Sequence, residues 1–208
     1  MIEPANNLKD LAEQINVCTR CRLAEGRTHA VPGEGPANAA ILFIGEAPGF
    51  YEDQQGRPFV GAAGNFLNEL LQSIGMQRSD VFIANVIKCR PPQNRDPQPD
   101  EIEVCSLWLD KQIELINPRI IVTISRFAMA RWFPKEKISA IHGKARRFGD
   151  LLVVPMYHPA AALHQGSLRK TIEDDFKKLP DYIKNASNLP AGDSPSPKQE
   201  PGEQLKLF

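Results

Sequence analysis

Four cysteines, Cys18, Cys21, Cys89 and Cys105, carry the most explicit chemistry in the chain. Cys18 and Cys21 stand three apart, close enough for both sulfurs to face one metal, whereas fifteen residues lie between Cys89 and Cys105. An intracellular chain does not ordinarily spend four cysteines on disulfides, and four donors suit a single metal or cluster site. Structural zinc sites generally use two tight pairs. The second pair here is too open for that pattern, and a [4Fe–4S] cube tolerates wider ligand spacing. Spacing alone leaves three readings: a cluster first, then a zinc ion, then unrelated buried thiols.

A second group of polar residues stands where apolar runs end. Glu46 follows AAILFIG at 39–45, Asn85 lies in DVFIANVI at 80–87, and His158 comes just after the run at 151–156. Each has an ordinary reading when taken singly. Glu46 is then a solvated loop carboxylate, Asn85 a turn former, His158 a structural hydrogen-bonding histidine and Phe59 part of the core. Lys144, Arg146 and Arg147 form a short basic run, with Arg126, Arg169 and Lys170 elsewhere. Such a run is usually a solvated face, but it could also grip phosphates.

The elements that must position these residues follow from periodicity. Leu8, Leu11 and Ile15 predict a helix over 7–17. Phe66, Leu67, Leu70, Leu71 and Ile74 predict another, stopped near Gly75. A third runs over 100–116, with Asp100 as N-cap and Pro118 as the stop. A short helix at 127–133 and a last helix at 167–179 complete the set. Continuous apolar runs at 39–45, 80–87, 119–124 and 151–156 read as strands buried on both faces. Four alternations of strand and helix predict an α/β fold, with a parallel sheet covered by helices on both faces. Ligands in such folds bind beyond the carboxyl ends of the strands, and the polar segments at 46–64, 85–95, 125–126 and 157–166 all follow strands.

Composition sets the outer bounds. The 208 residues suit one domain over 1–184 and a tail over 185–208. The 25 basic and 25 acidic residues cancel, which argues against a non-specific wrapper of nucleic acid but leaves room for a local basic patch. No apolar stretch nears membrane-spanning length and the first ten residues do not read as a signal peptide, so the sequence predicts a cytoplasmic protein. The stretch 185–203 holds four prolines, no aromatic residue and one large aliphatic side chain, so it is expected to be disordered. The apolar QLKLF at 204–208 differs from it.

In combination, these segments resemble the family 4, or thermostable-type, iron–sulfur uracil-DNA glycosylases. GEAPG at 45–49 followed by EDQQGRPFVGAAG at 52–64 looks like that family's first motif. NVIKCRPPQNR at 85–95 looks like the second and YHPAAAL at 157–163 like the histidine motif. The resemblance spans about residues 8 to 180. It implies a three-layer α/β/α sandwich around a four-stranded parallel sheet, and an enzyme that flips uracil out of DNA and hydrolyses its N-glycosidic bond, leaving an abasic site. It makes Cys18, Cys21, Cys89 and Cys105 the ligands of a [4Fe–4S] cluster. Gly45, Glu46, Ala47, Phe59, Asn85 and His158 become the uracil pocket, with Glu46, Asn85 and His158 as its catalytic residues. Glu46 lies near the uracil C5 edge, Phe59 stacks on the base, Asn85 reads O4 and N3–H, and His158 donates near O2. Ala47 stands where classic uracil glycosylases carry a water-activating aspartate. A DNA-crosslinking branch has GEQPG and a KRRIH-type loop; this chain has Ala47 and lacks that loop, so it reads as an ordinary hydrolase. Leu163 is the candidate wedge for the gap left by the flipped base, with Arg146 and Arg147 as phosphate contacts. QLKLF, with Gln204, Leu205, Leu207 and Phe208, looks like a bacterial sliding-clamp-binding peptide. A monomer is expected. The competing readings are a nucleic-acid-binding protein with a structural metal site and an iron–sulfur protein of the same fold with another base specificity or no catalysis.

Overall fold

The computed structural model describes residues 5–185. The tail beyond, including the segment 204–208, lies outside the described residues. In chain order the elements are α1 (Leu8–Asn16), α2 (Leu23–Gly26), β1 (Ile41–Gly45), α3 (Phe50–Gln55), α4 (Ala62–Ser73), β2 (Phe82–Asn85), α5 (Pro99–Ile116), β3 (Ile120–Thr123), α6 (Arg126–Ala130), α7 (Ile138–Ile141), β4 (Arg146–Phe148), β5 (Leu151–Pro155), α8 (Pro159–His164), α9 (Ser167–Phe176) and α10 (Leu179–Lys184).

The sheet has five strands in the order β2-β1-β3-β5-β4. Strands β2, β1, β3 and β5 are mutually parallel, as the apolar runs predict. The expectation of a four-stranded, all-parallel sheet is corrected by β4, which pairs antiparallel with β5, Arg146 opposite Val153 and Phe148 opposite Leu151. This strand is three residues long and carries the two arginines, so it has neither an apolar run nor an alternation to reveal it. A short, charged strand is what a sheet edge tolerates without inviting further pairing. Arg146 and Arg147 of the basic run are therefore part of the sheet, and Lys144 precedes it.

Both faces of the parallel strands are buried, which is why they read as unbroken apolar runs. Along β1, Leu42 and Ile44 join one core with Trp108 and Leu109 of α5 and Leu11 and Ile15 of α1. Ile41 and Phe43 turn to the other core, with Leu67 and Leu71 of α4 and Ile172 and Phe176 of α9. Helix α1 starts where the Asn7 side chain accepts from the Lys9 and Asp10 amides, at 2.9 and 3.0 Å. Helix α5 starts one residue before the expected Asp100 cap. Pro99 opens it, and the Glu101 carboxylate accepts from the Gln98 amide at 2.8 Å. The expected last helix divides into α9 and α10. No helix among the described residues is long and apolar enough to cross a membrane.

Candidate functional site

Strand register brings two of the motif segments side by side. Gly45 and Asn85 are paired residues at the carboxyl ends of β1 and β2, and the pairing continues as the Val86 and Ile87 amides donate to the Gly45 and Glu46 carbonyls at 3.1 and 3.2 Å. A Cβ on Gly45 would collide with Asn85 Oδ1 and lie 2.8 Å from two atoms of the Phe59 ring. The bare backbone is what lets the Asn85 amide and the Phe59 ring meet over this strand end. Asn85 is 2% exposed, and its Oδ1 is buried with no hydrogen-bond partner. A buried acceptor left open costs on the order of 1–3 kcal/mol, a cost concentrated at functional sites.

Phe59 reaches this place through a left-handed backbone, φ 51°. A non-glycine residue there is strained, and two groups hold it. Arg78 donates to the Phe59 carbonyl at 3.2 Å and also to the Pro58 carbonyl. Glu52 accepts from the Val60 and Gly61 amides at 3.0 and 3.2 Å through one oxygen and from the Gly49 amide at 3.1 Å through the other. One carboxylate thus ties the loop after β1 to the loop that carries Phe59.

His158 completes the cluster from β5. Its ring stacks on Phe59, centroids 5.5 Å apart at 27°. Nδ1 accepts from the Ala160 amide at 3.0 Å, so the proton of the neutral ring sits on Nε2. Burial pushes the pKa down to about 4, against a smaller opposing effect of Glu52. The histidine is therefore a neutral donor at physiological pH. Glu46 is partly buried at the end of β1. Burial raises its pKa, the Asp96 carboxylate adds to the rise, and Arg126 opposes both.

A second pocket lies on the α1–α5 side of the sheet and is lined by all four cysteines together with Arg20, Lys88 and Trp108. None of the four is in a disulfide. Among the described residues, no group of three or more His, Cys, Asp or Glu side chains is arranged to hold one metal ion. Arg27 reaches Cys89 Sγ at 3.1 Å and the Lys88 amide reaches Cys105 Sγ at 3.3 Å. Burial pushes the Cys105 thiol up to about 12 and also raises Cys89. These are not the depressed values of reactive cysteines. Lys88 is 1% exposed; its ammonium donates to the Asn85 carbonyl at 2.8 Å and to Gln112 Oε1 at 2.6 Å.

The uracil DNA glycosylase superfamily model matches residues 32–182. The type-4 uracil-DNA glycosylase of Sulfurisphaera tokodaii is 48% identical over 184 residues, 84% of each chain. That of Archaeoglobus fulgidus is 47% identical, covering 83% of this chain and 92% of its own. That of Thermotoga maritima is 41% identical, over 84% and 93% respectively. The chain belongs to the uracil-DNA glycosylase superfamily, type 4.

In this glycosylase, among the sequence-predicted pocket residues, Gly45 adjoins both Asn85 and Phe59, Phe59 stacks on His158, and Glu46 and Ala47 continue directly from Gly45. Leu163 is 50% exposed on α8, a six-residue helix inside the 157–166 segment to which the sequence reading assigns no element. Arg146 lies apart on the edge strand, ion-paired to Glu136 at 2.9 Å and packed over the Phe133 ring. Arg147 is its neighbour on β4. Sequence reasoning missed Glu52, Arg78 and Lys88. The groups they hold at this site are backbone amides and carbonyls, whose positions exist only once the chain is folded. The one sequence signal for Lys88 was its place between Asn85 and Cys89.

Proposed function

We propose that this chain is a monofunctional uracil-DNA glycosylase that flips uracil from single- or double-stranded DNA and hydrolyses the N-glycosidic bond. The observation that carries the reading is the open Asn85 Oδ1 beside Phe59 and above Gly45. Uracil presents a donor at N3 and an acceptor at O4. The Asn85 carbonyl accepts the first and its amide nitrogen donates to the second. Cytosine has the opposite pattern at these two atoms. Phe59 stacks on any planar base and holds it without naming it. When the bond between N1 and C1′ breaks, its electron pair leaves with uracil, and water adds to C1′ and loses a proton. His158 Nε2–H stabilises the departing anion at O2 as charge develops there, and a neutral donor need not transfer its proton. Glu46 borders the C5 edge. Ala47 offers no carboxylate for the water. Leu163 fills the space left in the duplex, and Arg146 and Arg147 assist with phosphates.

We propose that the four cysteines hold a [4Fe–4S] cluster. Their shared lining of one pocket supports a common site, and the open spacing of Cys89 and Cys105 suits a cluster better than a zinc tetrahedron. Deprotonated thiolates around a cluster carry net negative charge. Arg27 on Cys89 and the buried Lys88 would supply positive charge to offset it. The cluster's place in the fold is structural: it would tie the segment after α1 to the end of β2 and to α5.

Incubation with uracil-containing and undamaged oligonucleotides, followed by alkali, tests the activity. Cleavage at uracil alone is expected, and absence of alkali-labile sites would end the reading. For the segment 204–208 we propose docking to a bacterial sliding clamp. A labelled peptide covering 201–208 should bind a clamp saturably and lose binding when Leu207 and Phe208 are both alanine.

A further inference from the structure

Phe50 and Tyr51 are the two aromatic side chains left exposed among the described residues, at 50% and 60%. Such side chains are ordinarily kept inside, and their position here is specific. They open α3, directly after the GEAPG segment, and Glu52, the carboxylate that fixes the Phe59 loop, is the next residue. Their rings meet edge to face, centroids 5.4 Å apart at 80°. Tyr51 also lies against Gly61 of the Phe59 loop: a Cβ added there would be 3.6 Å from Tyr51 Cδ2. From the segment after β2, Arg90 places its guanidinium 5.1 Å from the Phe50 ring centroid, and Asn94 Oδ1 accepts from Arg90 Nε at 2.7 Å. The pair therefore stands between the loops that follow β1 and β2, beside an oriented cation.

We propose that Phe50 and Tyr51, with Arg90, form a stacking platform for a nucleobase next to the flipped uracil on the same strand. The proposal rests on the pocket reading given above, which puts the uracil at the ends of these two strands. Aromatic faces bind unstacked bases of any sequence, and an arginine beside them adds cation–π attraction and a phosphate contact. Extruding the uracil breaks the stacking of its neighbours, so a base left without its partner is what the platform meets. Mutual packing alone would account for the edge-to-face pair. It does not account for both rings being left in solvent at the mouth of a pocket that acts on DNA.

The test is a cycle between protein and substrate. Single-stranded oligonucleotides carry uracil with ordinary neighbours, or with abasic spacers replacing the two bases on the 5′ side or on the 3′ side. Half-saturating concentrations are measured in single turnover for the full-length protein and for F50L/Y51L, which keeps apolar bulk and removes both rings. A spacer on one side should weaken the unmodified protein about tenfold, within the range of one lost stack. F50L/Y51L should be about tenfold weaker on the ordinary strand and insensitive to that spacer. Equal sensitivity of both proteins to the spacers on both sides would overturn the platform. Asn85→Ala separates the two readings: it should lose the maximal rate and keep the spacer sensitivity. If Asn85→Ala keeps its rate, the pocket reading fails, whatever the cycle returns.

Discussion

A neutral histidine that donates to a developing anion, the role proposed for His158, leaves a different pH signature from a charged one. Burial disfavours the imidazolium of His158 and brings its pKa to about 4, below the ordinary 6.5. The donor at Nε2 therefore persists as pH falls through 6.5 and is altered only near 4. Single-turnover excision should show no inflection attributable to histidine between about pH 5.5 and 8. His158→Ala should lose about two to three orders of magnitude in rate and retain most DNA binding, because the contact tightens in the transition state. An inflection near 6.5 that vanishes in His158→Ala would show a charged histidine instead. Gly45→Ala tests the pocket floor. Its Cβ would displace the Asn85 amide or the Phe59 ring, and a misplacement of about 1 Å costs on the order of a hundredfold. Excision should fall by that much while far-UV circular dichroism stays unchanged; wild-type rates would show that the two side chains do not need this approach. Glu46, Asn85 and His158 stood out in the sequence through the motifs that carry the family resemblance, and each lies at or near the end of an apolar run. Glu52 and Arg78 did not, since they hold amides and carbonyls of residues 8 to 20 positions away.

Two sites share one element boundary, the end of β2. Asn85 belongs to the proposed base pocket, and three residues later Lys88 turns back: its ammonium holds the Asn85 carbonyl and its own amide meets Cys105 Sγ on α5. Lys88→Met keeps much of the side-chain volume and removes the charge. With the proposed cluster in place, it should lower the iron retained per chain, read by colorimetric iron assay and by absorption near 400 nm, and slow excision as the Asn85 carbonyl loses its donor. Full iron content with unchanged excision would reduce Lys88 to a tolerated buried cation. At this scale the strands and the long helices were readable, because burial on two faces or on one stripe leaves a period in the sequence. Strand β4 was hidden. Its short Arg-Arg-Phe segment is shaped by its neighbour β5 and not by a pattern of its own. Helices α3 and α8, six residues each, are too short to leave a readable period inside the polar segments 46–64 and 157–166.

At the scale of the whole molecule, Glu101 fastens parts of the chain that are far apart in sequence. Its buried carboxylate accepts from Arg22 at 3.0 Å, from Arg95 at 2.6 and 2.9 Å, and from the Gln98 amide. Arg22 follows Cys21 directly, and Arg95 belongs to the segment after β2, so this carboxylate binds the N-terminal cysteine pair and the second motif to the start of α5. Burial opposes its charge, but the hydrogen bonds from Arg95, Gln98 and Arg22 outweigh that cost and bring the pKa to about 2 from an ordinary 4.5. Because the folded value lies below the unfolded one, the stabilisation is fully present above about pH 4.5 and is lost as pH falls through 4.5 towards 2. The shift corresponds to at most about 3 kcal/mol. Urea unfolding between about pH 3 and 7 should therefore show a decline on the acid side for the unmodified protein, with a smaller decline for Glu101→Gln. At neutral pH that variant should be less stable by about 2–3 kcal/mol, since it leaves two arginines facing a neutral amide. It should also release iron sooner on dilution into chelator, because the Cys18–Cys21 segment loses its tie to α5. Parallel acid limbs for the two proteins would mean that other carboxylates carry the acid response and that Glu101 is held by geometry alone.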